Sequence, residues 1–119
     1  GDGGAWFLPR VVGLSRANEM AYTGEPVDAA TALAWGLVSK VVAPEELMPE
    51  ARQLAGRIAV NPPTALRMTK RLIKESQHAR LDSMLEMSAS LQALAHQTED
   101  HAEAVRAIID KRPPQFKGE

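Results

Sequence analysis

Apolar residues recur along most of the chain at helical spacing, and the pattern changes character near Pro44. After an opening Gly-rich turn at 1–4, the apolar stretch Ala5–Val12 predicts a short helix. Pro9 inside it marks a kink or a restart, and Gly13 ends it. SRANEMAYTG at 15–24 predicts a second helix. Ser15 is its expected N-cap, Ala17, Met20 and Ala21 share one face, and Gly24 stops it. PVDAATALAWG at 26–36 has Asp28 as N-cap, Gly36 just past the end, and alanines small enough for close packing against a neighbour. LVSKVVA at 37–43 is the one run with strand character, because Val38, Val41 and Val42 are β-branched and Pro44 ends it. A lone strand leaves its N–H and C=O groups in need of partners. Those partners are expected outside this sequence, in loops, or in a second copy.

From Pro44 onward the pattern is helical throughout. Leu47, Ala51, Leu54, Ala55 and Ile58 form one apolar face of a helix ending near Val60, and the NPP at 61–63 breaks it and starts the next. Leu66, Thr69, Leu72 and Ile73 give the expected buried face of that helix. Leu81, Met84, Leu85, Met87, Leu91, Leu94 and Ala95 give a broader face on a longer one. Thr98 is the expected N-cap of a last helix, with Ala102, Val105, Ile108 and Ile109 on its buried side. RPPQFKGE at 112–119 reads as an extended basic tail, since two consecutive prolines cannot continue a helix. The expected fold class is mostly α with one short isolated β-strand. The expected division is 1–43, with short Gly-punctuated elements, and 44–119, with longer amphipathic helices.

Composition narrows the chemistry. At 119 residues and 45% hydrophobic content the chain has material for one domain of ordinary size. Lys and Arg number 14 against 15 Asp and Glu, so no basic surplus points to nucleic acid or an anionic membrane. Aromatic residues make up 4%, too few for a base-stacking platform. No apolar run in these 119 residues is long enough to span a bilayer, and no Arg-rich or apolar leader is expected from them. The absence of Cys excludes disulfides, thiolate metal sites and a Cys nucleophile, and a cytoplasmic location is compatible with it. Met68, Met84 and Met87 suit a subunit face as well as an internal core.

Taken together, the ordered motifs are recognisable. Gly1-Asp2-Gly3-Gly4, Leu8-Pro9-Arg10-Val11-Val12-Gly13, Thr23-Gly24, Ala29 to Ala32, and Gly36-Leu37-Val38 to Val41-Val42 follow one another as in the central-to-late part of the enoyl-CoA hydratase/isomerase (crotonase) superfamily. The closing AEAVRAIIDKRPPQFKG also resembles that family's last helix and its Lys-Arg-x-Pro-x-Phe tail. The resemblance covers essentially the whole chain. It implies the C-terminal part of an enzyme more than twice this length, whose spiral β/α core, oxyanion-hole amides and main acid/base carboxylates precede Gly1. It also implies an acyl-CoA thioester as substrate, no separate cofactor, and a homo-oligomer, a trimer or dimer of trimers, assembled through the helices of 44–119.

Each candidate residue has a functional and a plain reading. Asp2 is the one carboxylate in the Gly-rich turn. It reads as an acid/base or polarising group beside the thioester, or as a turn or N-cap residue. In the 4-chlorobenzoyl-CoA dehalogenase branch a nucleophilic Asp aligns with Gly1, one position earlier, so that role does not transfer. Gly3 and Gly4 open a helix whose free N–H groups suit a polarised group, or they are glycines for steric reasons, the reading favoured here. Trp6 and Phe7 line an acyl pocket or belong to the core. Lys111, Phe116 and Lys117 suit the adenosine-phosphate end of coenzyme A, which the family's closing helix and tail approach. The plain alternative is that cations favour a helix C-terminus. Gly1, Gly3, Gly4, Trp6, Lys111, Phe116 and Lys117 are thus the candidate substrate-binding residues and Asp2 the candidate catalytic one. Arg67, Lys70, Arg71 and Lys74 form a basic stripe that reads as a solvated face. His96 and His101 are five apart across a helix boundary, and no metal is assigned.

The expected activity is hydration of a 2-enoyl-CoA through an oxyanion-stabilised enolate, with double-bond isomerisation or another crotonase branch as the alternative. The chain by itself is expected to be inactive. A reading of another class is a non-catalytic helical module serving only in oligomerisation.

Overall fold

The structure is a computed structural model and describes residues 3–119, so Gly1 and Asp2 lie outside the described residues. The described residues are helical, with seven α-helices and one 3-10 turn, Pro44–Glu46. The helices are α1 Gly4–Val12, α2 Leu14–Thr23, α3 Ala29–Ala34, α4 Leu47–Ala59, α5 Pro63–Glu75, α6 Leu81–Ala95 and α7 Glu99–Asp110. The chain forms two compact units, Gly1–Met48 and Pro49–Glu119.

In the first unit α1 packs on α2. Pro9 lies inside α1 without dividing it, so the expected restart does not occur. The cost is one backbone bond, since Pro9 has no N–H for the carbonyl of Ala5. Gly13 belongs to both helices: its N–H donates to Pro9 O at 3.0 Å and its carbonyl accepts from Ala17 N at 3.1 Å. Helix α2 therefore starts at Leu14, and Ser15 sits inside it rather than capping it. Asp28 caps α3 as expected, its Oδ1 accepting from Thr31 N at 2.7 Å. That bond is the main cause of a carboxyl pKa below the usual Asp value. The small core of this unit contains Val12, Ala17 and Ala32.

The expected strand at 37–43 is not formed, and no strand or bridge occurs among the described residues. After α3 the amides of Leu37 and Val38 turn back onto Ala32 O at 2.9 and 3.4 Å. The rest of the run is irregular up to the 3-10 turn. β-branched residues make a strand only where a second strand supplies the ladder, and none of the described segments does.

In the second unit α5 packs on α6. Pro63 occupies the first helical position of α5, where a missing N–H costs nothing. Thr98 caps α7 as expected, accepting from His101 N at 3.1 Å. The expected buried side of α7 is not buried, however. Val105, Ile108 and Ile109 are exposed, the last two at 77% and 73%, while Ala107 and Asp100 are buried. On α5, Leu66 and Leu72 are half-buried, but Thr69 and Ile73 are exposed. No residue of α4, α5 or α6 is fully buried.

Large apolar residues of the amphipathic helices, among them Leu54 and Ile58 of α4, Ile73 of α5 and Leu85 and Leu94 of α6, are exposed, so the described chain leaves much of the apolar faces read from the sequence uncovered.

Candidate functional site

The most highly organised polar site lies in the second unit, where the tail after α7 folds back along that helix. Asp100 and Glu103 are three apart and so share a face of α7. Asp100 is 2% exposed. Its Oδ1 accepts from the backbone N–H of Lys117 at 2.7 Å, and its Oδ2 from that of Gly118 at 2.9 Å. In return the Asp100 N–H donates to Glu119 O at 3.2 Å. One turn later Glu103 accepts both arms of the Arg112 guanidinium, at 2.6 and 2.9 Å, and the Gln115 N–H at 2.9 Å. The Arg112 bonds hold the Glu103 carboxyl at about 2, well below the usual glutamate range. The Arg112 pKa is raised in turn, chiefly by the same bonds.

The far end of the tail is anchored on α5. Thr64 Oγ1 donates to Gly118 O at 3.2 Å. Gly118 has φ 85, a conformation that L side chains adopt at a cost, and its Cα faces Pro63. The tail is thus held at Arg112, Gln115, Lys117, Gly118 and Glu119, and it starts from Lys111 in a left-handed conformation with φ 52. An open concavity of about 450 Å³ lies between tail and helix, lined by Glu99, Asp100, Glu103, Arg106, Arg112, Gln115 and Lys117.

This arrangement distributes the predicted tail residues. Phe116 is half-buried, Lys111 and Lys117 are exposed, and Lys117 lines the concavity. Neither lysine has an ion pair among the described residues. Arg112, in contrast, is committed to Glu103 and Asp110. The sequence reading took the tail as extended and basic, and it did not single out Asp100 or Glu103. The available signal was a pair of carboxylates at i, i+3 in the opening turns of the last helix, just before a proline-bearing tail with its own donors.

The other predicted residues lie in the first unit. Gly1 and Asp2 are outside the described residues. Gly3 has φ 85 and precedes α1, and its carbonyl accepts from Trp6 N and Phe7 N at 3.0 and 2.9 Å. A Cβ on Gly3 would stand 3.2 Å from the exposed Phe7 ring, which would have to give by a few tenths of an ångström, so it is the left-handed conformation that calls for glycine there. Gly4 has no such crowding. Trp6 and Phe7 meet edge to face at 4.7 Å, and the Arg10 guanidinium lies 3.8 Å over the Trp6 ring while also donating to Trp6 O at 2.7 Å. The pair is not core: Trp6 is 38% and Phe7 59% exposed.

Arg67, Lys70, Arg71 and Lys74 are exposed along α5. The rings of His96 and His101 lie 4.5 Å apart across the junction of α6 and α7, closer than their spacing suggested. No group of three possible metal ligands occurs among the described residues. None of the described helices is long and apolar enough to cross a membrane.

Comparison with known proteins matches this arrangement to one family. The family profile described as enoyl-CoA hydratase/isomerase matches residues 1–119. The chain is 39% identical over 116 residues to the 1,2-epoxyphenylacetyl-CoA isomerase of Escherichia coli K12, covering 98% of this chain and 44% of that protein. It is 37% identical over 116 residues to the crotonyl-CoA hydratase of Syntrophomonas wolfei, covering 98% of this chain and 45% of that one. The crystal structure of an enoyl-CoA hydratase from Bacillus anthracis superposes with a TM-score of 0.93 at 37% identity, over 100% of this chain and 46% of that one. The chain therefore spans less than half the length of these relatives, and its helices correspond to part of their fold. The match of all 119 residues, of the helical structure and of the ordered Gly, Pro and tail motifs has one meaning: the chain belongs to the enoyl-CoA hydratase/isomerase family.

Proposed function

We propose that this chain forms the C-terminal helical part of an acyl-CoA-processing enzyme, and that the whole protein adds water to a 2-enoyl-CoA. The observation that carries this reading is the end-to-end likeness to relatives named for acyl-CoA hydration and isomerisation. Water addition to a 2-enoyl thioester places negative charge on the thioester oxygen, so amide donors aimed at that oxygen and a carboxylate for proton transfer are required. We assign both to residues outside this chain, with Asp2 as an accessory carboxylate at the Gly-rich turn.

In this reading 1–43 closes the catalytic core and 44–119 is the assembly region, giving a trimer or dimer of trimers in the cytoplasm. The substrate is a coenzyme A thioester and no further cofactor takes part. Gly1, Gly3, Gly4 and Trp6 lie along the acyl part of the substrate. Lys111, Phe116 and Lys117 take its adenosine-phosphate end, where ammonium groups suit phosphate and an aromatic face suits a flat base.

The test is hydration of crotonyl-CoA, measured on the whole protein and on the 119-residue chain. Turnover by the whole protein and none by the chain supports the reading. Turnover by the chain alone overturns the assignment of the oxyanion hole elsewhere. Isomerisation of a 3-enoyl-CoA without hydration moves the protein to the isomerase branch.

A second reading, a helical oligomerisation module without catalysis, is favoured by the exposed apolar residues of α6 and α7, including Leu81, Leu85, Leu94, Ile108 and Ile109. Sedimentation of the 119-residue chain checks it: a stable monomer argues against it.

A further inference from the structure

We propose that Asp100 and Glu103 are positioning residues for substrate, latching the tail so that Lys117 and Phe116 meet the nucleotide end of the acyl-CoA. This rests on the acyl-CoA reading above. Among the described residues Asp100 has no cationic partner; its ligands are two consecutive backbone amides of the tail, at 2.7 and 2.9 Å. A carboxylate used this way fixes the path of the main chain rather than neutralising a charge. It does so at a residue that lines the concavity: the amide of Lys117 is held, while the residue is exposed and its side chain has no ion pair among the described residues.

Glu103 repeats the device at Gln115, on the other side of Phe116. It also occupies Arg112, leaving the tail's remaining cations, Lys111 and Lys117, for an anion. Gly118 and Thr64 finish the latch on α5. An unlatched tail would have to be ordered when substrate binds, and that ordering weakens binding without altering the reacting groups.

The experiment compares whole wild-type protein with Asp100→Asn and Glu103→Gln on two thioesters of one acyl group, crotonyl-CoA and crotonyl-N-acetylcysteamine. The second lacks the nucleotide. Asp100→Asn puts an NH2 donor against a backbone N–H, so one bond of the latch becomes a repulsion. The expected result is a rise of about tenfold in KM for crotonyl-CoA with kcat nearly unchanged, and an unchanged kcat/KM for the N-acetylcysteamine thioester. Glu103→Gln shifts the same parameter in the same direction by less, and it decides the matter alone if the Asp100 variant fails to fold. Equal losses on both thioesters, or no change on either, overturn the latch as a positioning device while leaving the acyl-CoA reading intact. A wild-type protein that turns over neither thioester overturns that reading, and this inference with it.

Discussion

The two faces of α7 behave in opposite ways. The apolar face, with Val105, Ile108 and Ile109, has the periodicity of a buried stripe and is open. The polar face, with Asp100 and Glu103, has the composition of a solvated surface and is closed by the tail. Periodicity thus reports that a face requires cover, but not that the same stretch of chain supplies it. Charge reports that a face tolerates water, but not that water is what it binds. Here the covered face is polar because its partners are tail amides and the Arg112 guanidinium, and five residues of the tail supply the donors and acceptors.

The sharpest break in this contrast is Asp100→Ala. It removes two charge-assisted acceptors from a buried position, and local stability of the tail is expected to fall by about 2–4 kcal/mol. Hydrogen exchange at the tail amides measures this directly, and a loss under about 0.5 kcal/mol would mean that the tail holds without the carboxylate. Gly118→Ala acts on the same face through conformation alone. The left-handed φ costs an L residue about 1–2 kcal/mol, and Pro63 at 3.5 Å leaves room for the methyl group.

Acid probes the Glu103 half. Its carboxyl is held at about 2 in the folded state, below the ordinary 4.5. A depressed pKa contributes stability that is fully present above the ordinary value and is lost as pH falls through the folded one. Protection of the Gln115 amide should hold from neutral pH to about pH 5 and fade between about pH 4.5 and 2. The smallest effect is expected on the open face. Ile108→Lys should change the thermal stability of the 119-residue chain by no more than about 0.5 kcal/mol. The same substitution in the whole protein should lower its oligomeric state by sedimentation if this face is an assembly surface.

Much of the helical plan was legible because it is set by local chemistry. Asp28 and Thr98 cap their helices through their own side chains, and the Pro62–Pro63 pair separates α4 from α5. The family was legible from the order of its Gly, Pro and tail motifs. Where the outcome depends on distant partners, sequence reasoning failed in identifiable ways. Ser15 looked like an N-cap, but Gly13 carries the junction of α1 and α2 within one residue, so the helix starts earlier. The valines of 37–43 have strand chemistry, yet none of the described segments offers them a ladder. Trp6 and Phe7 looked like core and are exposed, meeting edge to face with Arg10 over the Trp6 ring. Asp100 to Gly118 spans eighteen residues with no periodic signal, so the pairing is invisible until the tail's path is known.

The closed polar face is the feature on which the account turns, and amide hydrogen exchange in the wild-type protein tests it most directly. The backbone N–H groups of Lys117 and Gly118 should exchange far more slowly than in a free peptide because Asp100 holds both. Exchange of both at free-peptide rates would contradict the latch and remove the basis for placing Lys117 and Phe116 at the substrate.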